Sequence, residues 1–378
     1  MTTEEQRTEG PAKPQPSVYE QLLAYGRERG YKLDWLRPAV MPSRDLTVDL
    51  EHGGLLLQDA DFGPFAEAPE WSDNMTGRPR GAASRANTPR VGNYALRTKA
   101  DIWLKNAAQL YEEAVQRQWS SAVDIPWETL EELPDEIERA ECQLATFLTE
   151  VEFVAGDVPG KWISETTPDY YEPRMFLISQ VMDEARHLDV FRKRTLANGG
   201  GLMLQTPAGV AGGEIDRARD FTEMSARLHI SGEGVVLSLF RMGERMSYND
   251  AEKAIYRLAA SDESRHVAFG VMHLQYVAQT DPERREEIHS YLDEIEVGMA
   301  AGIGVQNPAA RGFAASEALR VLLGGGADPA SIAEGERIAL AVRQRQVKEY
   351  VQRVKVAGLG ERFENGRAHP NLMEYVRG

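Results

Sequence analysis

Two short stretches of this 378-residue chain carry the same side chains in the same order: Asp183-Glu184-Ala185-Arg186-His187 and Asp262-Glu263-Ser264-Arg265-His266. On a helix, a glutamate and the histidine three residues later project from one face. Two such helices laid side by side offer two carboxylates and two imidazoles to a pair of metal ions. One E-x-x-H is common on solvated helix faces, whereas a repeated five-residue unit is not. Each unit also interrupts an apolar stripe, with Leu177, Val181 and Phe191 around the first and Ile255, Ala259 and Val267 around the second. Carboxylates on such stripes can be buried only alongside compensating cations.

Two more carboxylates are expected from the helices that precede the units. Glu233 stands 30 residues before Glu263, and Glu152 stands 32 before Glu184. Glu150 is a rival to Glu152. An inward Glu152 shares its face with Ala145, Leu148, Thr149, Ala155 and Gly156, which leave room for a metal; an inward Glu150 brings the bulkier Phe147, Phe153 and Val154. That difference favours Glu152 and leaves Glu150 in reserve. Glu233 lies between Gly232 and Gly234, consistent with close packing, a local π-type distortion or a plain weak spot in the helix. His229, four residues earlier, is a reserve imidazole or an ordinary packed histidine. Asp183 and Asp262 are candidates to accept from the free ring nitrogen of the histidine in the other unit, with Arg186 and Arg265 neutralising them. Four carboxylates and two imidazoles balance two divalent ions in formal charge. The donors fit iron, with manganese or a mixed Mn/Fe pair as alternatives, while zinc would fit without supplying electrons.

Composition narrows the chemistry further. The single cysteine, Cys142, excludes an internal disulfide and a cysteine-ligated zinc or iron–sulfur centre within one chain. A formal net charge of −16 argues against nucleic acid. Arg78, Arg80, Arg85 and Arg90 are the one basic cluster; they lack interleaved aromatics and read as a solvated loop or one pinned by carboxylates. No apolar run is long enough for a membrane span, and Met1 is not followed by a signal-peptide stretch, so a cytoplasmic address without membrane contact is expected.

Helices must position these groups. Residues 1–16 read as a disordered leader, 17–95 as an irregular extension packed on the body, and 96–378 as the helical metal-binding domain. The extension carries apolar clusters at Leu33-Asp34-Trp35-Leu36 and Leu55-Leu56-Leu57. Periodicity predicts helices over 99–119, 135–158 with a stop at Pro159-Gly160, 173–198, 216–246 and onward from an Asn249 N-cap. The third holds the first unit and the last holds the second. Further helical pattern covers 285–299, 316–323 and 332–356. The expectation is an all-α chain: a four-helix bundle core with additional helices and an irregular N-terminal extension.

These residues resemble the ferritin-like di-iron carboxylate oxygenase superfamily, in its ribonucleotide-reductase-small-subunit-like branch. That branch includes the hydroxylase subunits of bacterial multicomponent monooxygenases and soluble acyl-carrier-protein desaturases. The resemblance spans roughly residues 100–275 and rests on the two D-E-x-R-H units, Glu152-Phe153-Val154-Ala155 and Gly232-Glu233-Gly234. It implies Glu152, Glu184, His187, Glu233, Glu263 and His266 as ligands of two iron ions that react with dioxygen and attack an unactivated C–H bond or alkene. Two departures matter. Phe191 lies four residues after His187 with no tyrosine near, against a radical-storing role, and Ala259 stands where the N-oxygenase branch has an extra histidine. The lone cysteine and the chain length disfavour a rubrerythrin and a storage ferritin.

The leading expectation is thus a monooxygenase hydroxylating or epoxidising an apolar or aromatic substrate. A desaturase acting on a carrier-bound acyl chain is the alternative, and an iron-binding or structural subunit is the non-enzymatic one. Gly199-Gly200-Gly201 follows a helix rather than a strand, so no flavin or nicotinamide motif is present. Electrons are expected from an external ferredoxin or flavoprotein reductase, and a homodimer is common among similar proteins. Phe147, Leu148, Phe153, Leu237 and Phe240 are candidate pocket residues, each also readable as ordinary core.

Overall fold

Acidic first turns open the central helices, and two of them also have a side-chain N-cap. In the computed structural model, which describes residues 16–33, 48–60, 66–198, 200–206, 214–303 and 314–377, helix α1 is Val18–Glu28, α2 Leu57–Ala60 and α3 Ala107–Gln116. Helix α4 (Asp135–Glu165) begins after Pro134 with Asp135, Glu136 and Glu138 against the positive end of its dipole. It turns back through a short 3-10 segment into α5 (Tyr171–Ala197). Helix α6 (Phe221–Ser225) is capped by Asp220, runs into a π-helical stretch, Ala226–Gly232, and continues as α7 (Glu233–Met246). Helix α8 (Asp250–Thr280) is capped by Asn249, whose side chain accepts from the Glu252 amide at 2.9 Å. The remaining helices are α9 (Pro282–Ile303), α10 (Ala314–Gly324), α11 (Pro329–Val356) and α12 (Pro370–Arg377). No β-strand forms among the described residues.

Helices α4 and α5, the α6–α7 rod and α8 pack together as the bundled core. Helices α9 and α11 flank the rod, and α10 packs on α4 and α11. One buried cluster gathers Leu144, Leu148, Phe191, Leu237 and Phe240; a second, around Phe176, Phe221 and Phe269, reaches into the N-terminal region through Ala68, Leu96 and Ile102. The segment expected to be irregular includes α1 and α2 but is otherwise loop, tied to the bundle by Ser72, which bonds Thr167 and Asp169. Arg80 is pinned by Glu172 in a buried ion pair. Most of the expected leader, and Asp34, Trp35 and Leu36 of the first apolar cluster, lie outside the described residues.

Several boundaries differ from expectation for identifiable reasons. Helix α4 does not stop at Pro159; the buried Val158 and the packed Trp162 and Ile163 hold the helix together despite the missing backbone donor. The helix expected from residue 99 is only a 3-10 turn, Lys99–Asp101, before α3. Ile102 and Leu104 are both fully buried, and residues two apart cannot share one helix face. The rod starts at Phe221 rather than 216, at its Asp220 cap.

A buried charge cluster links three bundle helices away from the repeated units. Arg194 of α5 donates to Glu138 of α4 and Glu252 of α8. Burial, reinforced by the like charge of Glu252, pushes the neighbouring Glu141 carboxyl up to about 8. Glu141 therefore keeps its proton in the fold while the unfolded chain releases it near the ordinary value of 4.5. Stability is lost progressively as pH rises from there to about 8. Urea titrations should show Glu141→Gln more stable than wild type by on the order of 5 kcal/mol at pH 8.5 and equal to it near pH 4. A constant difference across that range would assign the effect to packing instead.

Candidate metal centre

The two D-E-x-R-H units sit mid-helix on α5 and α8 and face each other across the bundle. Glu152 reaches the same point from α4, and Glu233 from the junction of the π-helical stretch with α7. The six side chains Glu152, Glu184, His187, Glu233, Glu263 and His266 are each at most 2 % exposed. They form two overlapping groups whose donor atoms lie within 4.8 Å of one another: Glu152, Glu184, His187 and Glu263, then Glu184, Glu233, Glu263 and His266. Each group could hold one cation, with Glu184 and Glu263 common to both.

Both imidazoles aim Nδ1 at the centre. His187 Nδ1 lies 3.0 Å from Glu184 and 3.5 Å from Glu263, and His266 Nδ1 lies 3.0 Å from Glu184 and 3.5 Å from Glu263. Their Nε2 atoms point outward, each to the aspartate of the other unit. His187 meets Asp262 at 3.2 Å, and His266 meets Asp183 at 3.2 Å. Arg186 and Arg265 each donate to both aspartates, closing a buried lattice. The Trp119 indole adds a 2.7 Å hydrogen bond to Asp262 and stacks on His187 at 6.3 Å between centroids. These acceptors hold a ring proton on Nε2, so a metal that displaces the proton at Nδ1 would meet the lone pair there.

The carboxylates are not satisfied by the protein. Both oxygens of Glu152 and Glu263, one each of Glu184 and Glu233, and His266 Nδ1 are buried without a hydrogen-bond partner. Orphaned acceptors at one point are what a pair of cations would satisfy, so the residues fit a dimetal group. Protons partly substitute when no cation is bound. Burial and then repulsion from neighbouring carboxylates push Glu152 and Glu233 well up, against the opposite pull of His187, 3.9 Å from Glu152, and of His266 on Glu233. Burial opposes charge on His187 and His266, but the surrounding carboxylates outweigh it and raise both.

Neither reserve residue joins the cluster. Glu150 turns away and accepts from the Thr206 amide at 3.1 Å. His229 bonds Ser225 and, at 3.3 Å, Gln180, which in turn donates to Glu233 at 2.7 Å. Burial pulls His229 well down, so it is neutral. The close approach of its helix requires Gly270, where an added Cβ would sit 2.3 Å from His229 Cβ. The π-helical hydrogen bond from the Glu233 amide to the Leu228 carbonyl sets the start of α7. Arg353 of α11 donates to the Ile230 carbonyl at 3.0 Å.

A cavity of about 880 Å³ opens directly on Glu152, Glu233 and Glu263. Its walls are mainly apolar, with Val151, Leu228, Val236 and Met299 among them. Of the candidate pocket residues only Phe147 lines it. Leu148, Leu237 and Phe240 are core, and Phe153 is 55 % exposed. One residue past Glu152 the helix has turned by about 100°, which sends Phe153 to solvent. Trp119, Gln180 and the walls from α9 and α11 carried no local motif; Gln180 alone had a signal, one turn before Glu184 on the same face.

No protein-family model matches the chain, and no curated protein matches it. Among solved structures it is similar to an R2-like ligand-binding oxidase with aerobically reconstituted metal cofactor after photoconversion, at 18% identity and a TM-score of 0.49, over 67% of this chain and 94% of that one. A point variant of that oxidase with anaerobically reconstituted Mn/Fe cofactor gives 19% identity and a TM-score of 0.49, with the same coverage. The metal assignment rests on the side chains described above.

Removing the outer acceptors one at a time should weaken metal retention. Asp183→Asn and Asp262→Asn are each expected to lower affinity by about 10–100-fold, read by competition with a chelator. Unchanged affinity in both variants would show that the lattice does not orient the imidazoles.

Proposed function

We propose that this chain is an oxygen-dependent dimetal oxidoreductase, a monooxygenase acting on an apolar or aromatic substrate. The observation that carries the reading is the large apolar cavity ending on three carboxylates of a buried, cation-deficient cluster. Storage or transport of metal needs no such cavity, and a purely structural metal site is closed.

Glu152 and His187 would hold one ion, Glu233 and His266 the other, with Glu184 and Glu263 between them. When bound, a reduced iron or mixed Mn/Fe pair supplies electrons and a place for dioxygen to be activated for attack on a C–H bond or alkene. The chain's own residues do the positioning. Gln180 holds one oxygen of Glu233 and directs the other inward. The cross-linked aspartates and arginines fix both imidazoles and keep the protons on the outer ring nitrogens. Val151, Leu228 and Val236 exclude water and hold the substrate body beside the carboxylates. Electrons would come from an external ferredoxin or flavoprotein reductase.

Anaerobic ferrous loading followed by brief oxygen exposure should give about two irons per chain and a coupled diferric Mössbauer signal that is lost in Glu184→Ala. A zinc-only or oxygen-inert site would overturn the reading. Val236→Trp, which fills the cavity, should keep the metal content and lose substrate-stimulated oxygen consumption by about tenfold or more.

A further inference from the structure

The cavity wall is apolar except for a few groups whose charges can be followed one by one. Arg227 is engaged by Glu223 and Glu294. Glu214 lies exposed. Arg343 of α11 differs from both: it lines the cavity, is partly buried, and has no hydrogen bond or ion pair among the described residues. Burial without a carboxylate partner pulls its guanidinium below the ordinary range, with Tyr375 of α12 pulling weakly the other way. Gln346, one turn along the same helix, lines the same wall, and its amide nitrogen reaches the Val235 carbonyl at 3.4 Å. Its side-chain oxygen takes part in no bond among the described residues, so the pair combines a planar fork of donors with an adaptable amide. A guanidinium stays protonated at any working pH, and shielding it from water without an anion is costly.

We propose that Arg343 receives the anionic headgroup, a carboxylate, of an amphipathic substrate whose apolar body lies along Val151, Leu228 and Val236 toward the metal-facing carboxylates. Arginine suits a carboxylate because its parallel N–H groups match the two oxygens. The headgroup would thereby sit on α11, away from the cluster, and set which carbon of the chain lies beside the metals. The inference rests on the cavity being the substrate site of the proposed oxidoreductase.

The test is equilibrium binding, without reductant or turnover, of octanoate and octanol to the metal-loaded protein. Wild type should bind octanoate at least about tenfold tighter than octanol, the scale of a charge-assisted hydrogen bond pair. Arg343→Gln should abolish that preference and leave octanol affinity unchanged, and Arg343→Lys should restore part of it. Equal affinities in wild type, or a preference that survives Arg343→Gln, would overturn the assignment. So would a preference that vanishes when the metals are removed, because the headgroup would then be held by metal. A preference that depends on Arg343 without any octanoate-stimulated oxygen consumption would uphold this site and count against the monooxygenase reading instead.

Discussion

Four glutamates buried around one point are the constraint from which the rest of this structure follows. Their mutual repulsion and their lost hydration cannot be relieved by the protein, which supplies no donors to most of the inward oxygens. Only cations or protons can do so, and protons do it partially, as the raised Glu152 and Glu233 show. The bundle therefore spends its interior polarity on everything except those oxygens. The outward ring nitrogens of the histidines, the two aspartates and the Nη groups of the two arginines are cross-bonded. A cluster unsatisfied on the inside and cross-linked on the outside is a preorganised host for metal.

The helices are deformed where the cluster demands it. Continuing an ordinary α-helix from Phe221 would rotate and advance Glu233 differently from what the π-helical stretch achieves. That stretch disrupts the regular ladder, and the disruption is accommodated by two long-range contacts, Arg353 on the Ile230 carbonyl and Gly270 beneath His229. Helix α4 makes the complementary accommodation. It carries a proline through its last turns because packing on Tyr170 and Phe221 outweighs one lost hydrogen bond. The same balance of local cost against tertiary gain recurs at Arg194, whose guanidinium ties α5 to carboxylates on α4 and α8.

The asymmetry of the surroundings gives the site direction. Pseudo-symmetry relates the two D-E-x-R-H units through the imidazole side, where each histidine meets the other unit's aspartate. The other side is not symmetric: the cavity reaches Glu152, Glu233 and Glu263, walled by α9 and α11. Among the described residues the cavity lies on the side on which the carboxylates, not the imidazoles, are presented.

The donor chemistry was legible in the sequence because it is local. Glu184 with His187 and Glu263 with His266 each lie within one helical turn, and helical periodicity alone puts each pair on one face. The all-α character and most central helices were legible for the same reason, since N-caps such as Asn249 and the 3.6-residue stripe act within a few residues. Glu152 could be preferred over Glu150 from face composition, yet only packing against α5 placed one inward and sent the other to the Thr206 amide. Trp119 lies 143 residues from the aspartate it bonds, and Arg343 faces a cavity shared by α4, the α6–α7 rod, α8, α9 and α11. No short-range pattern encodes such contacts. The sequence by itself determined which groups could bind metal and on what kind of element; tertiary structure decided which oxygens remain unsatisfied, where the cavity opens and what charge waits on its wall. Burial and long-range packing, unlike helical phase, depend on the whole chain at once.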